Sequence, residues 1–146
     1  MDDLYREYIL EHYRNPHNFG VLDEPTFEAE GTNPLCGDEL KVQAIVGDDD
    51  TIAEVRFSGH GCAISQAAMS ILSDEIVGKK VEDVAAMTRD DILELIGIEL
   101  TPVRLKCALL GLVVTKMGLH EHAGTEAPAG WEGADEIAWK AAEGES

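Results

Sequence analysis

Three cysteines, at positions 36, 62 and 107, place the tightest constraint on what this chain can fold into. They are all the cysteines it has, and they lie 26 and 45 positions apart, so none shares the C-x-x-C spacing of a redox centre or an ordinary zinc finger. Each falls where regular structure is interrupted or begins. Cys36 sits in Asn33-Pro34-Leu35-Cys36-Gly37-Asp38, Cys62 in Gly59-His60-Gly61-Cys62-Ala63-Ile64-Ser65, and Cys107 after Pro102-Val103-Arg104-Leu105-Lys106. Loops and helix starts present a ligand without giving up ladder hydrogen bonds. A free cysteine taken alone is most often a small core hydrophobe. Three at such boundaries leave two readings, core thiols or one shared metal site, and the second requires folding to bring three distant segments together.

The pattern between them predicts the elements. Apolar residues at Leu4, Tyr5, Tyr8, Ile9 and Tyr13 recur every three to four positions, a helix over 3–14 that Asn15-Pro16 stops. The period then falls to two. Leu40, Val42, Ala44 and Val46 alternate with Lys41, Gln43 and Ile45, Ile52 to Phe57 form a second run, and Gly47-Asp48-Asp49-Asp50 is the turn between them. Residues 27–31 are a weaker third strand. Ala63 to Val77 is helical until Gly78, 81–87 is a short helix, and Thr88 with Asp91 caps a helix that ends before Gly97. Thr101-Pro102 opens the helix that carries Cys107 and runs to Gly118. The fold class is α+β, a small antiparallel three-stranded sheet with helices packed on one face. Residues 1–120 form this domain, and 121–146, rich in Gly, Ala, Pro and Glu, read as an acidic, disordered tail.

At 146 residues the chain is long enough to bury a core without disulfides. An odd cysteine count, and a start of Met1-Asp2-Asp3-Leu4 in place of a basic and apolar leader, predict reduced thiols in a cytoplasmic protein. With 29 acidic against 11 basic residues the net charge is −18, which repels phosphate backbones and anionic headgroups, so neither nucleic acid nor membrane is an expected partner. Such a surface also suits concentrated salt, where screening makes dense carboxylates tolerable.

If the thiols do share a metal, the surroundings favour it. Cys62 lies at the first turn of its helix, where free N–H groups favour negative charge. Cys107 has cations at Lys106 and Arg104, and Gly37 lets backbone approach a metal beside Cys36. Asp38, two positions after Cys36, adds a harder oxygen ligand. Three thiolates and one carboxylate suit zinc or sulfide-bridged iron, and the carboxylate makes the set more labile than four sulfurs would be.

These residues resemble the signatures of the iron–sulfur cluster scaffold family of the IscU, NifU N-terminal and SufU type. The likeness rests on Asn33-Pro34-x-Cys36-Gly37-Asp38, Gly59-x-Gly61-Cys62-Ala63-Ile64-Ser65, Leu100-x-Pro102-Val103-Arg104-x-Lys106-Cys107 and His12-Tyr13-x-Asn15-Pro16-x-Asn18-x-Gly20, over roughly residues 3–118. It implies a non-enzymatic scaffold that builds a transient [2Fe–2S] cluster on Cys36, Asp38, Cys62 and Cys107. Sulfur would come from a cysteine desulfurase, with Cys36 as a persulfide acceptor, and the cluster would pass to apo iron–sulfur proteins. Residues 100–104 resemble the segment by which IscU-type members bind an Hsp70-type chaperone, with Thr101 departing from it. A homodimer around a shared cluster is also compatible. Lys106 stands where IscU-type members have histidine, as in SufU-type members, yet the 45-position gap lacks the extra segment SufU types carry. Lys106 is then an auxiliary residue tuning the site's charge. The alternatives are a SufU-like sulfurtransferase holding Zn2+ on the same ligands and, more remotely, a structural zinc domain that binds a partner protein.

Among the remaining residues, His60 is either a fourth ligand or exposed loop. His12 and Tyr13 pack the first helix on the sheet or meet the desulfurase, and His17, His120 and His122 read as solvated. Trp131 and Trp139 have no assigned role.

Overall fold

Apolar residues at every second position from Phe27 onward make a sheet with one dry face, and the computed structural model shows that sheet as the frame of the protein. It describes residues 2–33, 37–123 and 138–141. In chain order the elements are α1 (Asp2–Arg14), β1 (Phe27–Asn33), β2 (Asp38–Val46), β3 (Ile52–His60), α2 (Ala63–Ile76), α3 (Val81–Ala85), α4 (Arg89–Ile96), α5 (Pro102–Ala123) and β4 (Ala138–Ala141). The expected three-stranded antiparallel sheet is present as β3-β2-β1, with β4 added at the outer edge of β1. Phe27, Ala29, Leu40, Val42, Ala44, Ile52, Val55 and Phe57 turn one face inward, where α5 crosses β1 and β2 and α2 lies against β3.

α2 is the central helix, with eleven of its fourteen residues buried. Its small side chains let α1 and α5 approach from two sides, and its serine hydroxyls are satisfied internally, Ser73 Oγ donating to the Ser70 carbonyl at 2.6 Å. α4 ends as the sequence predicts: Thr88 and Asp91 form both bonds of a capping box, and Gly97 closes the helix in the left-handed region at φ 80°.

Four features depart from the sequence reading. β1 continues to Asn33 and β3 to His60, which carries the strands up to the cysteine motifs. α5 does not stop at Gly118 but runs to Ala123. A Cβ at Gly118 would lie 2.8 Å from Phe27 Cδ1, so this glycine serves close helix–sheet packing, not termination. Residues 121–123 and 138–141 of the segment read as a disordered tail are helix and strand, since α5 keeps its sheet contact to the end and the edge of β1 accepts a fourth strand, Gly31 pairing with Trp139. The rest of that segment, Trp131 included, lies outside the described residues. On α1, Ile9 and His12 are buried while Tyr8 and Tyr13 are 43% and 44% exposed, because α1 packs chiefly on α2.

Candidate metal centre

The site forms at the end of the sheet where β1 turns into β2. Asn33 and Asp38 are paired across the two strands, and the Gly37 N–H donates to the Asn33 carbonyl at 2.9 Å. This register makes Asp38 the first residue of β2 and buries it completely. Cys36 lies outside the described residues.

Beyond β3 the chain reverses through Gly61 into α2, and Cys62 is the helix N-cap residue with extended backbone, φ −72° and ψ 165°. Its N–H donates to Asp38 Oδ1 at 2.8 Å, and its Sγ lies 3.8 Å from Asp38 Oδ2. One carboxylate oxygen is thus anchored on backbone while the other faces sulfur. Gly61 is required for this approach: it sits at φ 155°, and a Cβ there would meet Asp38 Oδ1 at 2.3 Å and Asp38 Cα at 2.9 Å.

Cys107 reaches the same point from the second turn of α5 and is fully buried. The Asn33 side-chain amide donates toward its Sγ at 3.9 Å. Ligand atoms of Asp38, Cys62 and Cys107 all lie within 4.8 Å of one another. A tetrahedral metal with bonds of about 2.3 Å to sulfur and 2.1 Å to oxygen would separate those atoms by about 3.6 Å. The Cys62–Asp38 distance already matches that spacing.

Lys106 is half-buried beside Cys107 in sequence, and Arg104 is exposed. The Arg104 N–H donates to Thr101 Oγ1 at 3.3 Å, so Thr101 caps α5. His60 is exposed at the end of β3, its Nε2 3.3 Å from Glu39 Oε1, and does not join the cluster. Two residues were not singled out from sequence, Asn33 against Cys107 and Gly61 against Asp38. Both lie inside the cysteine motifs, but their roles depend on contacts across the sheet that spacing does not encode.

A second group of polar side chains forms between α1 and α2. His12 Nδ1 lies 2.6 Å from Ser70 Oγ, which also accepts the His17 N–H at 2.8 Å, and His17 Nδ1 lies 2.5 Å from Asp74 Oδ2. His12 therefore packs against α2, while His17 is exposed, as expected, and is partnered by Asp74. Burial, and secondarily the neighbouring His17, push the His12 pKa below its ordinary value, with Asp74 and Glu11 opposing.

A family model for the NifU-like N terminal domain matches residues 4–128. The chain is 32% identical over 141 residues to the zinc-dependent sulfurtransferase SufU of Bacillus subtilis, covering 85% of this chain and 95% of that protein. It is 34% identical over 122 residues to the iron–sulfur cluster assembly scaffold protein IscU of Rickettsia prowazekii, covering 81% and 91%. Among solved structures, FiSufU from Fervidobacterium islandicum AW-1 superposes with a TM-score of 0.66 at 27% identity, over 77% of this chain and 94% of that one. The N-terminal NifU-like protein of Brucella abortus shares the fold, with a TM-score of 0.69 at 21% identity over 86% and 98%.

Proposed function

Since the chain belongs to the NifU-like N-terminal domain family of iron–sulfur cluster assembly proteins, we propose that it is a scaffold that assembles a labile [2Fe–2S] cluster on Cys36, Asp38, Cys62 and Cys107 and passes it to apoproteins. The observation that carries this reading is the convergence of Asp38, Cys62 and Cys107, from three different elements, on one point at the end of the sheet. Sulfur arrives as the persulfide of a cysteine desulfurase. The Cys36 thiolate attacks its terminal sulfur, the new S–S bond leaves Cys36 as a persulfide, and the desulfurase thiolate departs. Reducing that sulfur to sulfide takes two electrons from a donor outside the chain.

The donor set suits release as well as assembly. Thiolates supply affinity for iron, and the Asp38 oxygen, a harder and weaker donor to this ion, is the place where the cluster exchanges out. The Cys62 N–H holds Asp38 Oδ1, which keeps the carboxylate oriented when its other oxygen lets go. The exposed Thr101–Pro102 start of α5 is where an Hsp70-type chaperone would dock.

A second reading is favoured by one residue, Lys106, and is compatible with the likeness to SufU over 85% of this chain. In it the same four ligands hold resident Zn2+, whose charge keeps the thiols deprotonated, and sulfur transfer to Cys36 is the whole activity. Both readings require every cysteine. Cys36→Ser, Cys62→Ser and Cys107→Ser, each assayed for zinc and ferrous iron binding, should lose at least tenfold in affinity. A variant that binds as the wild type does marks that cysteine as core and removes it from the site.

A further inference from the structure

A second set of ligating side chains lies apart from the cysteines, where α1 and the turn after it meet α2. One ring nitrogen from His12, one from His17 and a carboxylate oxygen of Asp74 lie within 4.8 Å of one another. We propose that His12, His17 and Asp74 form a second divalent transition-metal site, independent of the cysteines, that ties α1 and its following turn to α2.

Two imidazoles and one carboxylate are a donor set that takes Zn2+, Co2+ or Ni2+, with water completing the coordination. The three side chains come from separate positions: the last turn of α1, the turn beyond it, and α2 some 57 residues later. Each is held by a partner. Ser70 Oγ lies at 2.6 Å from His12 Nδ1 and fixes the plane of that buried ring. The same Oγ accepts the His17 backbone N–H, which pins the turn. The Asn18 side-chain amide donates to Asp74 Oδ1 at 3.1 Å and to Ser73 Oγ at 2.8 Å, leaving Asp74 Oδ2 turned toward His17. Such outer partners are what orient metal ligands elsewhere.

The spacing allows closure. Ligand atoms around a tetrahedral ion with bonds of about 2.1 Å stand roughly 3.4 Å apart. The His12 and His17 rings already meet at 4.4 Å between centroids, tilted by 47° to one another. The side chains of His17 and Asp74 are 49% and 50% exposed, so both can rotate into place and a hydrated ion can reach them. As an ion pair alone, an exposed His17–Asp74 contact would contribute little. Set beside a buried imidazole, it supplies two of three ligands.

Equilibrium dialysis of the reduced full-length chain against Co2+ tests the site, with cobalt d–d and sulfur-to-cobalt absorption read together. Wild type should bind one more Co2+ per chain than either His17→Gln or Asp74→Asn, and the sulfur-to-cobalt band should be equal in all three. His17→Gln changes a half-exposed side chain, and far-UV circular dichroism checks that it folds. Equal stoichiometry in wild type and either folded variant would overturn the site. The sulfur-to-cobalt band reports the cysteines separately, so failure of one site is not mistaken for failure of the other.

Discussion

Gly61→Ala tests how the carboxylate is delivered to the sulfurs. The added methyl would lie 2.3 Å from Asp38 Oδ1, 2.8 Å from its Cγ and 2.9 Å from its Cα, and the last of these is backbone that a side-chain rotation cannot clear. Holding alanine in this glycine conformation costs on the order of 1–3 kcal/mol. Relieving the clash by shifting packed groups costs about 1–3 kcal/mol more. Moving Asp38 also loosens its bond to the Cys62 N–H, a charged hydrogen bond of the kind that contributes roughly 1.5–3 kcal/mol. These terms overlap, and together they predict a loss of about 3–5 kcal/mol. Gly37→Ala is the control, because Gly37 also has positive φ, 71°, yet its Cβ would meet nothing within 4 Å. That substitution should cost only about 1–2 kcal/mol. Urea unfolding of both variants, reduced and with chelator, measures the difference; with a slope near 2 kcal/mol/M, Gly61→Ala should lower the midpoint by about 2 M. If Gly61→Ala is no more destabilising than Gly37→Ala, the close approach of Asp38 to the Cys62 turn is not what the glycine is for.

Asp38→Ala should lengthen the life of a reconstituted cluster in air, because the most exchangeable ligand is gone, and bleaching followed in the visible gives the rate; equal or faster decay would refute the role assigned to Asp38. His12 has a folded-state pKa below its ordinary 6.5, so the folded form takes up a proton less readily than the unfolded chain. Its contribution to stability is complete above about pH 6.5 and is lost as pH falls below it, so melts of metal-free wild type and His12→Gln should converge in acid; curves that stay parallel would contradict this. With a net charge of −18, the melting temperature should rise from low to molar salt as carboxylate repulsion is screened, and a temperature indifferent to salt would count against that reading.

Much of this was legible in the residues. Thr88 with Asp91, Gly97 and Thr101-Pro102 carry their own local chemistry and mark helix ends where the structure has them. The alternation of Leu40, Val42 and Ala44 put the sheet's dry face where it is. Gln43 obeys the alternation in position but not in exposure: it is buried on the opposite face because the Leu22 N–H donates to its Oε1 and its own amide donates to Glu28. Nothing in its neighbours announces that cover. β4 was not legible as a strand for a similar reason: Ile137-Ala138-Trp139 reads only as a short stretch able to dock or stay loose, and the partner of Ala138 is Thr32, far earlier in the chain. For the site, the motifs named Asp38, Cys62 and Cys107, whose meeting the structure displays, whereas the His17–Asp74 contact joins residues that no local pattern links.

The most direct test of the scaffold is a visible absorption spectrum after anaerobic reconstitution with ferrous iron, cysteine and a cysteine desulfurase, on protein first analysed for zinc. A scaffold gives a sulfide-to-iron charge-transfer band that is absent in each single cysteine variant and moves to an apo-ferredoxin on mixing. A colourless protein that keeps its zinc while accelerating the desulfurase would contradict the scaffold and establish sulfur transfer as the activity.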